Sequence, residues 1–217
     1  MRVKIKETSA SEGRQESAEG AGLRVKIKET SDCEAGRKAP KARLCGPGER
    51  RRYKMIKRRD KINYYLDLAE TVSKRSTCIR RRYGAVIVKN DEVISTGYVG
   101  APRGRKNCTD TGKCIRQELN IPRGERYELC RSVHAEMNAI ISAPRDKMIG
   151  SAMYLAGVDA QTGEYIPNSN SCSMCKRVII NAGIERVYIR DSSDEYRMIE
   201  VQDWIDNDES LDGTRGY

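Results

Sequence analysis

The segment HAEMNAIISAPRDKMIGSAMYLAGVDAQTGEYIPNSNSCSMCKRVIINAGIERVYIR, His134 to Arg190, alternates two kinds of apolar pattern. An apolar-rich helical stretch runs from His134 to about Ser142, and a second from Cys172 to Asn181. Ala152–Ala156 and Arg186–Arg190 are short apolar runs of strand length, one between the helices and one after them. Strands joined through a helix need a crossover connection, which makes neighbouring strands parallel. The segment therefore predicts an α/β fold with a partly parallel sheet.

Upstream, Tyr83–Lys89 and Glu92–Tyr98 flank Asn90-Asp91, a two-residue turn, and predict a β-hairpin. Before it, Ile62, Tyr65, Leu66, Ala69 and Val72 recur at helical spacing and predict an amphipathic helix over about 58–74. Residues 99–130 are rich in Gly, Pro, Arg and Cys and show no period. Long connections of that kind tend to be functional. Downstream, Val201 to Ile205 suggests a short helix, and the acidic end is expected to fray.

A chain of 217 residues, 38% apolar and 33% charged, is polar for a fully globular protein. Part of it should lie outside the core. Residues 1–54 hold fifteen Lys or Arg against eight Asp or Glu, while the remainder holds 26 against 23, so most of the net +10 belongs to the N-terminal stretch. That stretch repeats RVKIKETS at Arg2–Ser9 and Arg24–Ser31 and is otherwise poor in apolar residues. We read it as a basic, disordered tail, followed by a folded domain over 55–206 and an acidic C-terminal tail over 207–217. The near-neutral domain argues against a nucleic-acid partner, which needs clustered cations on the folded part. No apolar leader and no run of about 18 apolar residues is present, so a cytoplasmic, non-membrane protein is expected. In that compartment eight cysteines point to metal ligation or buried thiols rather than disulfides.

The chemistry concentrates at two helix starts. His134-Ala135-Glu136 opens one predicted helix, and Cys172-Ser173-Met174-Cys175 opens the other. A Cys-x-x-Cys pair at a helix N-terminus can turn both sulfurs to one ion, and the helix dipole favours the thiolates that zinc binds. His134 is the one histidine of the chain and completes three protein ligands. Three ligands leave a fourth position for water, the pattern of a catalytic zinc. Glu136 is placed to move protons, and His-x-Glu followed by Cys-x-x-Cys is the signature of zinc deaminases. Either motif alone is weak, since a lone Cys-x-x-Cys also suits a redox pair or half a structural zinc site.

From Met55 to Arg190 the sequence resembles the deoxycytidylate (dCMP) deaminases of the cytidine deaminase-like superfamily. The matching stretches include DKINYYLDLAETV (60–72), YGAVIVKND (83–91), STGYVGAPRG (95–104), NIPRGERYELC (120–130), HAEMNAIISA (134–143) and CSMCKRVIINAGIERV (172–187). The resemblance implies a three-layer α/β/α fold around a mixed, roughly five-stranded sheet, a homo-oligomer, and hydrolysis of dCMP to dUMP with release of ammonia. It implies zinc on His134, Cys172 and Cys175 with Glu136 as the catalytic group, and control by dCTP and dTTP. Cys78 and Cys108 match positions that hold a structural zinc in some members, and Cys114 and Cys130 would complete a four-thiolate set. Two positions depart from the family. Ser171 stands where proline is usual, and Val99 where many members carry a sugar-contacting asparagine.

A nucleotide phosphate would meet Arg80, Arg81 and Arg82 before the first strand or Arg103 after the second, because arginine offers phosphate a bidentate fork. Tyr188 or Tyr196 is a candidate to stack on the pyrimidine. Three other functions share part of the pattern. They are a tRNA adenosine deaminase, a free-nucleoside or riboflavin-pathway deaminase, and a nucleic-acid-binding module whose zinc is structural.

Overall fold

The computed structural model describes residues 57–208. The expected basic tail over 1–54 and the acidic end beyond 208 lie outside the described residues.

The amphipathic helix forms as α1 (Lys61–Ser73). It starts three residues later than its apolar period suggests because Asp60 caps it, accepting from the Asn63 backbone at 3.0 Å. The hairpin forms as β1 (Arg81–Lys89) and β2 (Glu92–Tyr98). Asn90 and Asp91 turn it at φ 50° and 68°, the pair of positive angles that suits strand twist. Lys61 pairs with Asp91 at 2.8 Å, and the Tyr65 hydroxyl donates to the same carboxylate, so the turn is fastened to α1.

The loop after β2 holds only two single-turn helices, α2 (Cys108–Thr111) and α3 (Ile115–Glu118), and a 3-10 turn at Tyr127–Leu129. Then follow α4 (Ala135–Ile141), the short α5 (Arg145–Met148), β3 (Ala152–Asp159), α6 (Ser173–Ala182), β4 (Arg186–Arg190), β5 (Tyr196–Glu200) and α7 (Val201–Asp206). The sheet order is β2-β1-β3-β4-β5. Only β3 and β4, joined through α6, run parallel. The sheet is therefore mixed and five-stranded, as expected.

Three elements differ from the sequence reading. β3 runs on to Asp159 because Arg81 to Gly84 of β1 pair with it, although Gly157 and Asp159 are poor strand formers. β5 was not anticipated, since Tyr-Arg-Met-Ile-Glu on a sheet edge carries too little apolar signal. α5 is a single turn, too short to show a period.

Strand alternation divides the core. Ala85, Ile87, Met153, Leu155, Val187 and Ile189 face α4 to α7, whereas Val86, Val88, Tyr154, Ala156 and Tyr188 face α1. Helices thus cover both faces in three layers. Two glycines allow them to approach closely: a Cβ on Gly84 would sit 2.1 Å from the Ala69 carbonyl of α1, and one on Gly97 would sit 2.2 Å from the Ala135 carbonyl of α4. Arg190, 1% exposed, is buried under α1, pairing with Asp67 at 2.6 Å and donating to the carbonyls of Asn63 and Ser193. No helix among the described residues is long and apolar enough to cross a membrane.

A metal centre and its pocket

The N-termini of α4 and α6 meet on the α4–α7 side of the sheet, and each is opened by a ligating residue. His134 and Cys172 occupy the N-cap positions with extended backbone, and neither side chain caps its own helix. Both side chains are therefore free to turn toward each other. Cys175, in the first turn of α6, lies fully buried beside them. His134 Nδ1 is 3.3 Å from both Cys172 Sγ and Cys175 Sγ, and the three ligating atoms lie within 4.8 Å of one another. Metal–sulfur bonds of about 2.3 Å and metal–nitrogen bonds of about 2.05 Å in a tetrahedron put S and N about 3.5 Å apart. The triad fits that geometry with only small adjustment.

Its electrostatics suit a cation as well. The Cys172 thiol is lowered to about 4, chiefly by the hydrogen bond from Cys175 and then by His134. Cys175 moves up, because the two sulfurs share a proton and burial adds to the effect. Burial works against charge on His134, yet hydrogen bonds with Cys130 and Cys172 and the nearby Glu136 raise its pKa to about 11. The cluster thus attracts positive charge, and a zinc ion answers that attraction as a proton does. Glu136 is 5% exposed, and burial pushes its carboxyl pKa up, opposed mainly by the charge of His134.

A cavity of about 120 Å³ opens over His134, Glu136 and Cys172. Arg80, Arg81 and Val99, singled out from sequence, line it. Arg80 and Arg81 act on Asp159 at long range but close no ion pair with it among the described residues. Val99 is buried, and the neighbouring Gly100 bridges to Val133, which fixes the approach to His134. Arg82 is exposed and does not line the cavity. Arg103 is elsewhere: with Arg75 and Arg105 it borders a separate polar groove of about 300 Å³.

Tyr188 and Tyr196 are also not at the cavity. Strand alternation turns Tyr188 to the α1 side, where it stacks on Tyr154 at 4.9 Å and meets Tyr196 edge-on at 6.0 Å. They are core packing, on the opposite face of the sheet from the metal centre.

Sequence reasoning missed five residues that line the cavity: Tyr83, Arg116, Arg123, Tyr127 and Asn170. Tyr127 sets its ring edge-on to His134 at 5.1 Å and takes the Arg116 guanidinium on its face at 4.4 Å. Arg116, only 4% exposed, is itself held by the carbonyls of Pro122 and Glu125. All but Tyr83 and Asn170 come from the long irregular loop, where no periodicity marks which side chains turn inward. Length alone, unusual for a structureless connection, was its signal.

Among the described residues, the four further cysteines share a neighbourhood. Burial raises the Cys108 thiol pKa, and Cys78, Cys114 and Cys130 add to that. Cys130 also turns toward His134, and Cys78, Cys114 and Cys130 line the active cavity. Among the described residues, only His134, Cys172 and Cys175 form a ligand cluster that tight.

Comparison with known proteins agrees with this geometry. Residues 59–190, more than half of the chain, match the family model described as the cytidine and deoxycytidylate deaminase zinc-binding region. A protein named deoxycytidylate deaminase from Mycobacterium phage D29 is 33% identical over 136 residues, covering 61% of this chain and 95% of the phage protein. Proteins of the same name from Schizosaccharomyces pombe and Saccharomyces cerevisiae are 33% and 34% identical. The matched region is 58% and 64% of this chain but spans only 35% and 39% of those longer relatives. Among solved structures, apo dCMP deaminase from the cyanophage S-TIM5 aligns with 26% identity and a TM-score of 0.42, covering 63% of this chain and 88% of that one. With the motif, the ligand geometry and the matched span in agreement, the chain belongs to the zinc-binding cytidine and deoxycytidylate deaminase family.

Proposed function

We propose that the protein hydrolyses dCMP to dUMP and ammonia. The observation that carries the reading is the buried Glu136 beside the His134–Cys172–Cys175 triad, at the floor of a cavity edged by Arg80 and Arg81. Relatives named deoxycytidylate deaminase support the choice of substrate. Zinc, when bound by His134, Cys172 and Cys175, lowers the pKa of its water to about 7 and so supplies a nucleophile at neutral pH.

The chain's own residues supply the rest. Glu136 accepts a proton from the attacking water and passes it to the ring nitrogen N3 as the new C–O bond forms at C4. It then moves the remaining hydroxyl proton to the amine, the C4–N bond breaks, and ammonia leaves. Burial raises the Glu136 carboxyl pKa, which eases its taking up a proton before it hands that proton on. Arg80 and Arg81 hold the 5′-phosphate, Val99 packs against the sugar, and Tyr127 shields the His134 side of the cavity from water.

The same proposal includes a cytoplasmic homo-oligomer regulated by dCTP and dTTP. The Arg75, Arg103 and Arg105 groove has the charge to meet a triphosphate. It also includes a second zinc on Cys78, Cys108, Cys114 and Cys130, supported by their shared neighbourhood. Elemental analysis of the purified protein should then find about two zinc per chain, falling to one in Cys114→Ser. The deciding experiment measures ammonia release from dCMP, dCTP, cytidine and a tRNA anticodon stem-loop. Turnover on dCMP alone, or well above the rest, is expected; release from none of them would end the enzyme reading.

A further inference from the structure

Tyr83 lines the cavity, yet neither the metal triad nor the proton transfer uses it. Strand alternation turns it, with Ala85 and Ile87, to the face of β1 that carries the metal centre. Its backbone is held where β1 and β2 meet: the Tyr83 carbonyl accepts from the Val99 N–H at 3.1 Å and from Ser76 Oγ at 3.0 Å. The neighbouring strand holds its ring. Tyr83 pairs with Gly157 of β3, and a Cβ there would lie 2.6 Å from Cδ1 and 2.7 Å from Cζ, so the ring lies across space that glycine leaves open.

The hydroxyl is oriented as well. Ser169, 1% exposed, donates from Oγ to the Tyr83 oxygen at 3.2 Å, and Arg197 fixes Ser169 by donating to its carbonyl at 2.7 Å. Arg123 ties the same loop to the 99–130 loop through the carbonyls of Pro167 and Asn168, at 3.2 and 2.9 Å. A phenol has one proton to donate and keeps it at neutral pH. Burial pushes the Tyr83 pKa further up. Because Ser169 gives its own proton to the Tyr83 oxygen, the phenolic proton is left over, and no described residue accepts it. A fixed donor that lines a cavity and has no protein acceptor is built for a ligand.

The nucleotide narrows the choice of acceptor. Arg81, which takes the phosphate in the dCMP reading, stands two residues before Tyr83 on the same strand face. Glu136 and the triad occupy the C4–N3 edge of the base. The ring acceptor left between those two ends is O2.

We propose that Tyr83 determines recognition of the base: its phenolic O–H, aimed by Ser169, donates to the O2 carbonyl of the pyrimidine. The contact rests on the dCMP reading and deepens it. O2 is unchanged from substrate to product, so the bond holds the ring in every state and acts on binding rather than on the chemical step.

Tyr83→Phe keeps the ring on Gly157 and removes only the hydroxyl. Its KM for dCMP should rise about threefold to tenfold, the worth of one neutral hydrogen bond, while kcat and zinc content stay within about twofold. The dissociation constant of dUMP, which keeps O2, should rise by the same factor in calorimetry. The 2-thio analogue of dCMP, whose sulfur is a weak acceptor, should bind the wild type less well than dCMP does and bind Tyr83→Phe equally well. Ser169→Ala should weaken dUMP binding in the wild type and add nothing in Tyr83→Phe, which a purely structural role for Ser169 would not produce. An unchanged KM in Tyr83→Phe, a loss confined to kcat, or full discrimination against the 2-thio analogue by Tyr83→Phe would overturn the proposal. Turnover of dCMP without any dependence on the Tyr83 hydroxyl would remove the contact and leave the dCMP reading standing. Binding of dUMP that depends on that hydroxyl, in a protein that releases no ammonia from dCMP, would do the reverse, and a protein that does neither would overturn both.

Discussion

Gly97 lets α4, which carries His134 and Glu136, lie close against the sheet, and Gly97→Ala should damage the proposed metal centre without touching it. An added Cβ would lie 2.2 Å from the Ala135 carbonyl, 2.3 Å from the Ala139 nitrogen and 2.8 Å from the Asn138 carbonyl carbon. All three are backbone atoms of α4, so no side chain can swing aside. Reaching even a tight 3.4 Å contact requires α4 to retreat by about 1.2 Å. His134 and Glu136 move with that helix, while Cys172 and Cys175 on α6 do not. Metal sites tolerate only about 0.2 Å in ligand distance, and a 1 Å misplacement of a catalytic group costs about a hundredfold in rate. We therefore expect Gly97→Ala to lose zinc on gel filtration and to retain at most about 1% of kcat/KM. Gly84→Ala is the control. Its Cβ meets the Ala69 carbonyl at 2.1 Å, but it displaces α1, which carries no site residue. That variant should lose thermal stability to a similar degree while its folded fraction keeps zinc and turnover near wild type. Full zinc content and full activity in Gly97→Ala would refute the idea that helix spacing sets the site; equal loss of activity in both variants would show that general destabilisation is responsible.

Glu136→Gln keeps the shape of the side chain but cannot carry a proton, so it should retain zinc by elemental analysis and lose about 10²- to 10⁴-fold in kcat. Arg81→Ala should raise KM for dCMP about tenfold and leave the reaction of cytidine, which has no phosphate, nearly unchanged in steady-state assays. Asp67→Ala strands the buried Arg190 guanidinium. Because Asp67 is 46% exposed, water replaces part of what is lost, and we expect about 2–3 kcal/mol rather than the 3–5 of a fully buried pair. For a domain of this size that lowers Tm by about 4–12 °C in calorimetry. Asp60, Asp91 and Asp194 have carboxyl pKa values below the usual 3.8, held there respectively by the Asn63 backbone, Lys61 and Arg59. A carboxyl lowered in the folded state stabilises above its unfolded pKa, and that contribution disappears as pH falls through the folded value. Tm should therefore be insensitive to these groups above about pH 4 and decline below it, and a flat Tm profile from pH 5 to pH 2 would contradict the assignment.

The sequence alone determined the elements with strong period, the hairpin, α1, α4, α6 and the crossover, because each satisfies its own backbone and shows one apolar face. It also picked out the residues that cluster there: His134, Glu136, Cys172 and Cys175 sit at fixed offsets from helix starts, and helix geometry converts those offsets into direction. Tertiary structure decided which arginines face the cavity. Arg80 and Arg81 do, and Arg82 and Arg103 do not, because one step along a strand reverses the face and a loop has no period to read. It decided that Tyr188 belongs to the α1 core and not to the base, since only the assembled sheet says which side holds the metal. It brought in Arg116, Arg123 and Tyr127 from the long loop. Those relations join residues far apart in the chain, and local propensity carries no information about them.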